Sequence, residues 1–344
     1  MSGAVFVGTS NRGFAQQAQE ELKRLLGPSV RFGWLSPGET FRIQSPLGRE
    51  ETIAAVLEQE PAFLRHMFPA DAEREWSGTA EEAVGAVCEL IGEKRSALKD
   101  RTTIAVQIRR PEAEQDIASP AALKAELDVL LEQEYGMQAV VRQSDWILSV
   151  YMTRGSLYVG LTKPEQNLSD WPGGAIRFRK EEGQVSRAKF KLLEAEQAFG
   201  LDFHSYREAL DIGAAPGGWT SLLLERGLDV TAVDPAKLDP ALLRHPRLTY
   251  LAKKADEVKF DAGRFDLLVC DMSWSHRQMA KLVLQLADAV QSGGTAIITV
   301  KLMHKKAFQS IREVTEDLAG AFTLQKAKQL FHNRDELTLF FLKA

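Results

Sequence analysis

The sequence predicts an α/β fold: a mostly parallel sheet covered on both faces fills the C-terminal half, and two smaller α+β units precede it. Three observations carry this. Strand-like and helix-like segments alternate from residue 208 to residue 320, the order that places a parallel sheet between helix layers. The run "FDLLVCD" (265–271) is continuously apolar up to its final acid, as a strand buried on both faces should be. The first 68 residues instead read strand, helix, strand, strand, helix, strand, the order of a ferredoxin-like unit.

In chain order, "AVFVGTS", "RGFAQQAQEELKRLLG", "VRFGWL", "TFRIQS", "REETIAAVLEQE" and "PAFLRHMF" make up that first unit, residues 1–75. A second unit, 76–165, holds a helix at 79–94, a strand at 101–110 and a helix at 119–136. Paired strands at 145–153 and 156–162 complete it. Turn formers crowd "KPEQNLSDWPGG" (163–174), which reads as a linker or an ordered loop. The third unit, 166–344, opens its alternation with "EALDIG" (208–213), a short strand ending in an acid and a glycine. A helix at 218–227, the β-branched strand "DVTAVD" (229–234), a short helix at 241–245 and a strand at 247–253 follow. After "FDLLVCD", the span 276–294 shows helical apolar spacing with a Gly-Gly stop. "TAIITVK" (295–301) is a strand, 307–320 a helix, and two strands finish the chain.

The bulk numbers remove several classes. The 344 residues favour two or three domains. Hydrophobic residues are 44% and charged residues 26%, the ordinary globular range. No apolar run approaches the ~18–20 residues of a membrane span. The start "MSGAVFVGTSNRGF" lacks the features of a signal peptide. Two cysteines, Cys88 and Cys270, and six scattered histidines offer no metal-ligand spacing. The expectation is a cytoplasmic protein with no metal. A formal net charge of −4 also means that bulk charge does not grip nucleic acid. Basic residues cluster locally instead, as Arg177, Arg179, Lys180 and Arg187, and as Lys305 and Lys306.

"LDIGAAPGGWT" (210–220) joins a strand to a helix through a Gly-rich loop. Ligands of open α/β sheets bind at the carboxyl ends of strands, where this loop lies. Gly213, Gly217 and Gly218 allow close backbone approach. A dinucleotide site would place several N–H groups on a pyrophosphate. Here Pro216 removes a donor and Asp211 adds negative charge, which suits a cation. S-adenosylmethionine carries a sulfonium, an α-amino group and a ribose. Asp234, about 20 residues beyond the loop, stands where an acid binds ribose hydroxyls. Asp256, past the third strand, is placed for the adenine amino group.

Asp271 and Lys301 end two neighbouring strands at that same edge. The residues "DMSW" after the first strand differ from the Asn/Asp-Pro-Pro-aromatic pattern of base amino methylation, and Cys270 sits in a strand beside an acid, which disfavours a thiolate. An oxygen acceptor remains. A lysine can take a hydroxyl proton only as the neutral amine, and a partly apolar site and a second cation both favour that form. The apolar flank of Lys301 and the nearby Lys191 are expected to supply them, with Asp271 fixing the amine.

The segments "DIGAAPGGWT", "VCDM", "TVKLM" and "RDELTLFF" resemble the FtsJ-type ribose 2′-O-methyltransferases, whose site is a Lys-Asp-Lys-Glu tetrad. "SRAKFKLLEA" is similar to that family's Ser-Arg-x-x-x-Lys-Leu segment. The resemblance implies Lys191, Asp271, Lys301 and Glu336 as the tetrad, with Lys301 the general base. It implies Ser186, Ala215, Pro216, Gly217, Gly218, Asp234, Asp256 and Asp271 as S-adenosylmethionine contacts. Trp219 either walls the pocket or packs on the sheet. The implied fold is a Rossmann-like methyltransferase domain with a seven-stranded sheet, preceded by ferredoxin-like and THUMP-like domains. RNA, 23S rRNA in the nearest branch, is the implied partner, and the two basic clusters are its candidate lane. An RNA-binding or assembly protein with this fold, or an O-methyltransferase on a non-RNA acceptor, are the alternatives. The first has no need of an intact tetrad and the second no need of ~170 additional N-terminal residues.

Overall fold

The computed structural model describes residues 3–98, 102–179, 183–303 and 306–344. Two compact units divide the chain, Met1–Ile176 and Arg177–Ala344.

The first unit begins with β1 (Val5–Thr9), α1 (Ala15–Leu26), β2 (Arg31–Ser36), β3 (Thr40–Gln44), α2 (Arg49–Gln59) and β4 (His66–Pro69). These strands form one sheet in the order β2-β3-β1-β4, with every neighbouring pair antiparallel. Phe6, Phe41 and Ile43 of the sheet are fully buried, as are Leu22 of α1 and Val56 of α2. The expected strand over "PAFLRHMF" is confined to its end. The N–H groups of Ala62 and Phe63 donate to the Glu21 carboxylate at 2.9 and 2.8 Å, so they are not available to a ladder.

A second sheet uses β5 (Ala72–Glu75), β6 (Thr103–Arg109), β7 (Gln138–Ala139), β8 (Trp146–Met152) and β9 (Ser156–Thr162), in the order β5-β9-β8-β6-β7. α3 (Ala80–Glu93) packs Val87 and Leu90 against it, and α4 (Pro120–Tyr135) packs Leu123, Leu127 and Leu131. Thr79 caps α3, and Gly136 ends α4 in the left-handed region at φ 65°. The span 163–174 is an ordered loop with two short 3₁₀ turns.

The second unit contains α5 (Lys189–Phe199), β10 (Glu208–Ile212), α6 (Gly218–Glu225), β11 (Asp229–Val233), β12 (Leu248–Leu251) and β13 (Phe265–Cys270). It continues with α7 (His276–Gln285), β14 (Val290–Lys301), α8 (Ala307–Leu318), β15 (Phe322–Lys328) and β16 (Glu336–Lys343). Its seven strands lie in the order β12-β11-β10-β13-β14-β16-β15. β16 runs antiparallel to both neighbours, and the other pairs are parallel. The carboxyl ends of β10, β11, β13 and β14 therefore share one edge with the first residue of β16. Leu192, Leu222 and Phe199 from α5 and α6 pack with Ala209, Leu267, Val269 and Ile297 of the sheet.

One element, α5, has no counterpart in the sequence expectation, and one helix differs from it. α5 lacks a clean apolar stripe, because Lys189, Glu194 and Glu196 occupy buried positions on it. The helix expected over 276–294 ends at Gln285, and "VQSGG" belongs to β14. Pairing with β13 jumps from Phe265↔Val290 to Leu267↔Thr295, so the Gly-Gly pair lies in an irregular stretch inside the strand. Gly293 there has φ 75°, and a Cβ on Gly294 would stand 2.8 Å from Val290 Cγ1.

Candidate active site

The loop after β10 is shaped by backbone. Gly213 has φ 75°, and a Cβ on it would lie 2.5 Å from Met272 Cγ. Gly217 has φ 112° and precedes α6 directly. A Cβ on Gly218 would meet Ser186 Cβ at 3.0 Å and Lys189 N at 3.1 Å, so the 186–189 segment lies flat against the loop. Asp234, just past β11, accepts from Ala215 N at 3.0 Å through Oδ2 and from Ala236 N at 2.8 Å through Oδ1. Each oxygen keeps a second lone pair for a hydroxyl donor.

Asp211 lies beneath this loop, 1% exposed, and its Oδ2 accepts from Thr220 Oγ1 at 2.6 Å. Burial pushes its carboxyl up to about 7, and the negative charges of Asp271 and Asp234 add to the rise while the Thr220 bond opposes it. Carboxylates from the ends of three adjacent strands thus act on one another. A cation bound there relieves that repulsion. This charge, together with the open backbone, fits the sulfonium, amino group and ribose of S-adenosylmethionine. Among the described residues no cluster of His, Cys, Asp and Glu is arranged to hold a metal ion.

Beside the loop, side chains from four elements meet. Lys191 Nζ on α5 donates to Asp271 Oδ1 at 3.2 Å and Oδ2 at 3.4 Å, and stands 3.7 Å from Glu336 Oε1. Asp271 Oδ1 also accepts from Thr299 Oγ1 at 2.6 Å. Thr299 and Lys301 share a face of β14, since side chains alternate along a strand. Lys301, the last residue of β14, pairs directly with Glu336, the first of β16. Two salt bridges tie α5 and its flank to neighbouring elements: Lys189 to Glu225 at 2.7 Å and Glu196 to Arg226 at 2.8 Å.

Residues 184–329 match the FtsJ-like methyltransferase family. The second unit therefore carries an FtsJ-like methyltransferase domain. The chain is similar to curated proteins named ribosomal RNA large subunit methyltransferase M. It is 34% identical over 202 residues to the one from Psychromonas ingrahamii, covering 55% of this chain and 54% of that protein. With the one from Methylococcus capsulatus it shares 34% over 204 residues, 55% and 56% of the two chains. The chain spans about half the length of the curated relatives it matches.

Lys191, Asp271 and Glu336 converge, and Lys301 stands on the rung of Glu336, but not as the sequence reading had them. Lys301 is exposed, and among the described residues no ion pair holds it. Its expected dry surroundings are absent: the residue is exposed, although Thr299 on the same face of β14 is buried. The apolar flank, Val300 and Leu302, is buried on its own account. Asp271 holds Lys191 and Thr299 instead. Trp219 is 3% exposed, packs with Leu192 and Leu222, and donates Nε1 to Ala188 O at 2.9 Å. It is a core residue that anchors the 186–189 segment, not a pocket wall. Asp256 is exposed on the turn after β12. Cys270 is fully buried, and burial together with Asp271 pushes its thiol far up, which leaves no thiolate nucleophile. Arg177, Arg179, Arg187 and Lys306 are exposed, whereas Lys180 and Lys305 lie outside the described residues. Sequence reasoning missed Thr299. A polar residue two positions before a strand-end lysine was its available signal.

Proposed function

We propose that this chain transfers a methyl group from S-adenosylmethionine to a ribose 2′-hydroxyl of RNA, with large-subunit (23S) ribosomal RNA in the cytoplasm as the substrate. The observation that carries the reading is Lys191 Nζ held between Asp271 and Glu336, with Lys301 paired across the strands to Glu336, all beside the glycine loop. The cofactor, when bound, supplies an electrophilic methyl group. Asp234 would take the ribose hydroxyls on its free lone pairs, and Asp211 and Asp271 would set the negative field. Ser186, Ala215, Pro216, Gly217 and Gly218 would line the approach, and Asp256 would meet the adenine.

Lys301 would accept the 2′-hydroxyl proton as the new C–O bond forms. Its exposure in the free protein implies that substrate itself excludes water from the amine. Lys191, already fixed, would hold a ribose or phosphate oxygen and supply positive charge where the oxyanion develops. Glu336 would orient Lys301 across the rung.

Residues 1–75 would form a ferredoxin-like domain, supported by the β2-β3-β1-β4 antiparallel order. Residues 76–165 would form a THUMP-like RNA reader and 166–344 the methyltransferase. The exposed Arg177, Arg179, Arg187 and Lys306 would contact phosphates, so binding should weaken steeply with salt.

The test offers tritiated cofactor and purified protein to ribosomal RNA, cell protein and small metabolites in parallel. Alkali-stable label in RNA is expected, since a 2′-O-methyl group blocks strand cleavage. Label in protein or metabolites alone, or none, overturns the reading.

A further inference from the structure

Glu194 lies one helical turn after Lys191 on α5 and is 3% exposed. A buried carboxylate is costly unless hydrogen bonds satisfy it. Here its oxygens receive three. Phe331 N donates to Oε1 at 2.7 Å, His332 N donates to Oε2 at 3.0 Å, and His332 Nδ1 approaches Oε2 at 2.7 Å. Two consecutive backbone N–H groups that each meet one oxygen of the same carboxylate call for an anionic acceptor. The His332 ring is also gripped by rings. Its centroid lies 5.4 Å from Phe178 and 5.4 Å from Phe190, the neighbour of Lys191.

The loop held in this way leads straight into β16. Asn333 Oδ1 accepts from Leu330 N at 2.8 Å and from Thr338 Oγ1 at 3.1 Å, and Arg334 N donates to Glu336 Oε2 at 2.8 Å. One end of the Glu194 contact is therefore the helix that carries Lys191. The other end is a tightly bonded loop that finishes on Glu336.

We infer that Glu194, with His332, is a positioning residue of the active site: it sets the spacing between Lys191 and Glu336, and through the cross-strand pair the place of Lys301. This deepens the proposed ribose methyl transfer and rests on it. Glutamine at 194 keeps the shape but turns an amide N–H₂ toward groups that are themselves donors. Glu194→Gln should thus release the loop without emptying the core.

The test is a double-mutant cycle with Glu336→Ala, read as kcat and KM for methyl transfer to RNA and as affinity for S-adenosylhomocysteine. E194Q is expected to lower kcat about tenfold, with KM and cofactor-product affinity within about twofold, because second-layer hydrogen bonds act on the groups they orient. In the E336A background the same change should cost less than about twofold. An equal loss in both backgrounds, or no loss in either, overturns the inference. A merely structural role would be additive.

A second readout does not need activity. The rate at which acetic anhydride acylates Lys191, measured by mass spectrometry against the paired Lys189, should rise several-fold in E194Q and in His332→Ala, which removes the ring contact to Glu194. An unchanged rate overturns the inference even if wild-type protein methylates no RNA, a result that by itself would overturn only the proposed function. If E194Q does not fold, H332A carries both readouts.

Discussion

The glycine loop and the proposed tetrad share one sheet edge but are made differently. The loop is local: Gly213, Gly217 and Gly218 shape it within six residues of chain, and the side chains it needs, Asp211 and Asp234, end adjacent strands. The tetrad is non-local. Lys191 comes from a helix before the sheet, Asp271 and Lys301 from neighbouring strands, and Glu336 from the one strand that runs backward. A local site is set by backbone conformation, so single Cβ additions should damage it. A non-local site is set by side-chain contacts between elements, so polar deletions should damage it while leaving the cofactor bound.

Removing the fixed cation separates the two. Lys191→Ala should lower methyl transfer by about 10²–10³, the range seen when one preorganised donor is removed. Affinity for S-adenosylhomocysteine should stay close to wild type. A parallel loss of affinity would merge the two regions into one.

Asp211→Asn probes the loop through pH. The buried carboxyl titrates near 7 in the folded chain against an ordinary 3.8, so the native state holds its proton longer than the unfolded state does. Its contribution to stability is full below about pH 4 and is lost as pH rises through 7, by up to about 4 kcal/mol. Denaturant unfolding of the cofactor-free protein should show that decline in wild type and a flatter profile in D211N, where the amide oxygen still accepts from Thr220.

Gly213→Ala adds a Cβ at φ 75°, 2.5 Å from Met272 Cγ. The expected cost is about 1–3 kcal/mol, read as weaker S-adenosylhomocysteine binding by calorimetry. Smallest is Thr299→Val, which removes one hydrogen bond to Asp271 and should slow transfer about three- to tenfold. Cofactor affinity is again the control.

The same contrast governs what could be read from sequence. The glycine loop and Asp234 are contiguous or evenly spaced, so strand-end logic located them, and alternation of elements anticipated a parallel α/β sheet. Lys301 was found because a lysine after "AIITV" stands out. Its surroundings were misjudged, since the buried neighbours Val300 and Leu302 say nothing of where a terminal side chain points. α5 was passed over because Lys189, Glu194 and Glu196 look like a solvated face until their partners are known. Those partners, Glu225, the Phe331–His332 backbone and Arg226, are distant in sequence. Trp219 could be read either way, and burial among the α5 and α6 leucines decides it. The Gly-Gly pair at 293–294 imitates a helix stop because a strand irregularity needs the same conformational freedom.

Lys301→Ala tests the central claim most directly. With wild-type protein, tritiated cofactor and ribosomal RNA, label should enter RNA in alkali-stable form. The variant should bind S-adenosylhomocysteine as tightly as wild type and transfer about 10²–10⁴-fold more slowly, the range for loss of a general base. Undiminished transfer by Lys301→Ala would contradict the account.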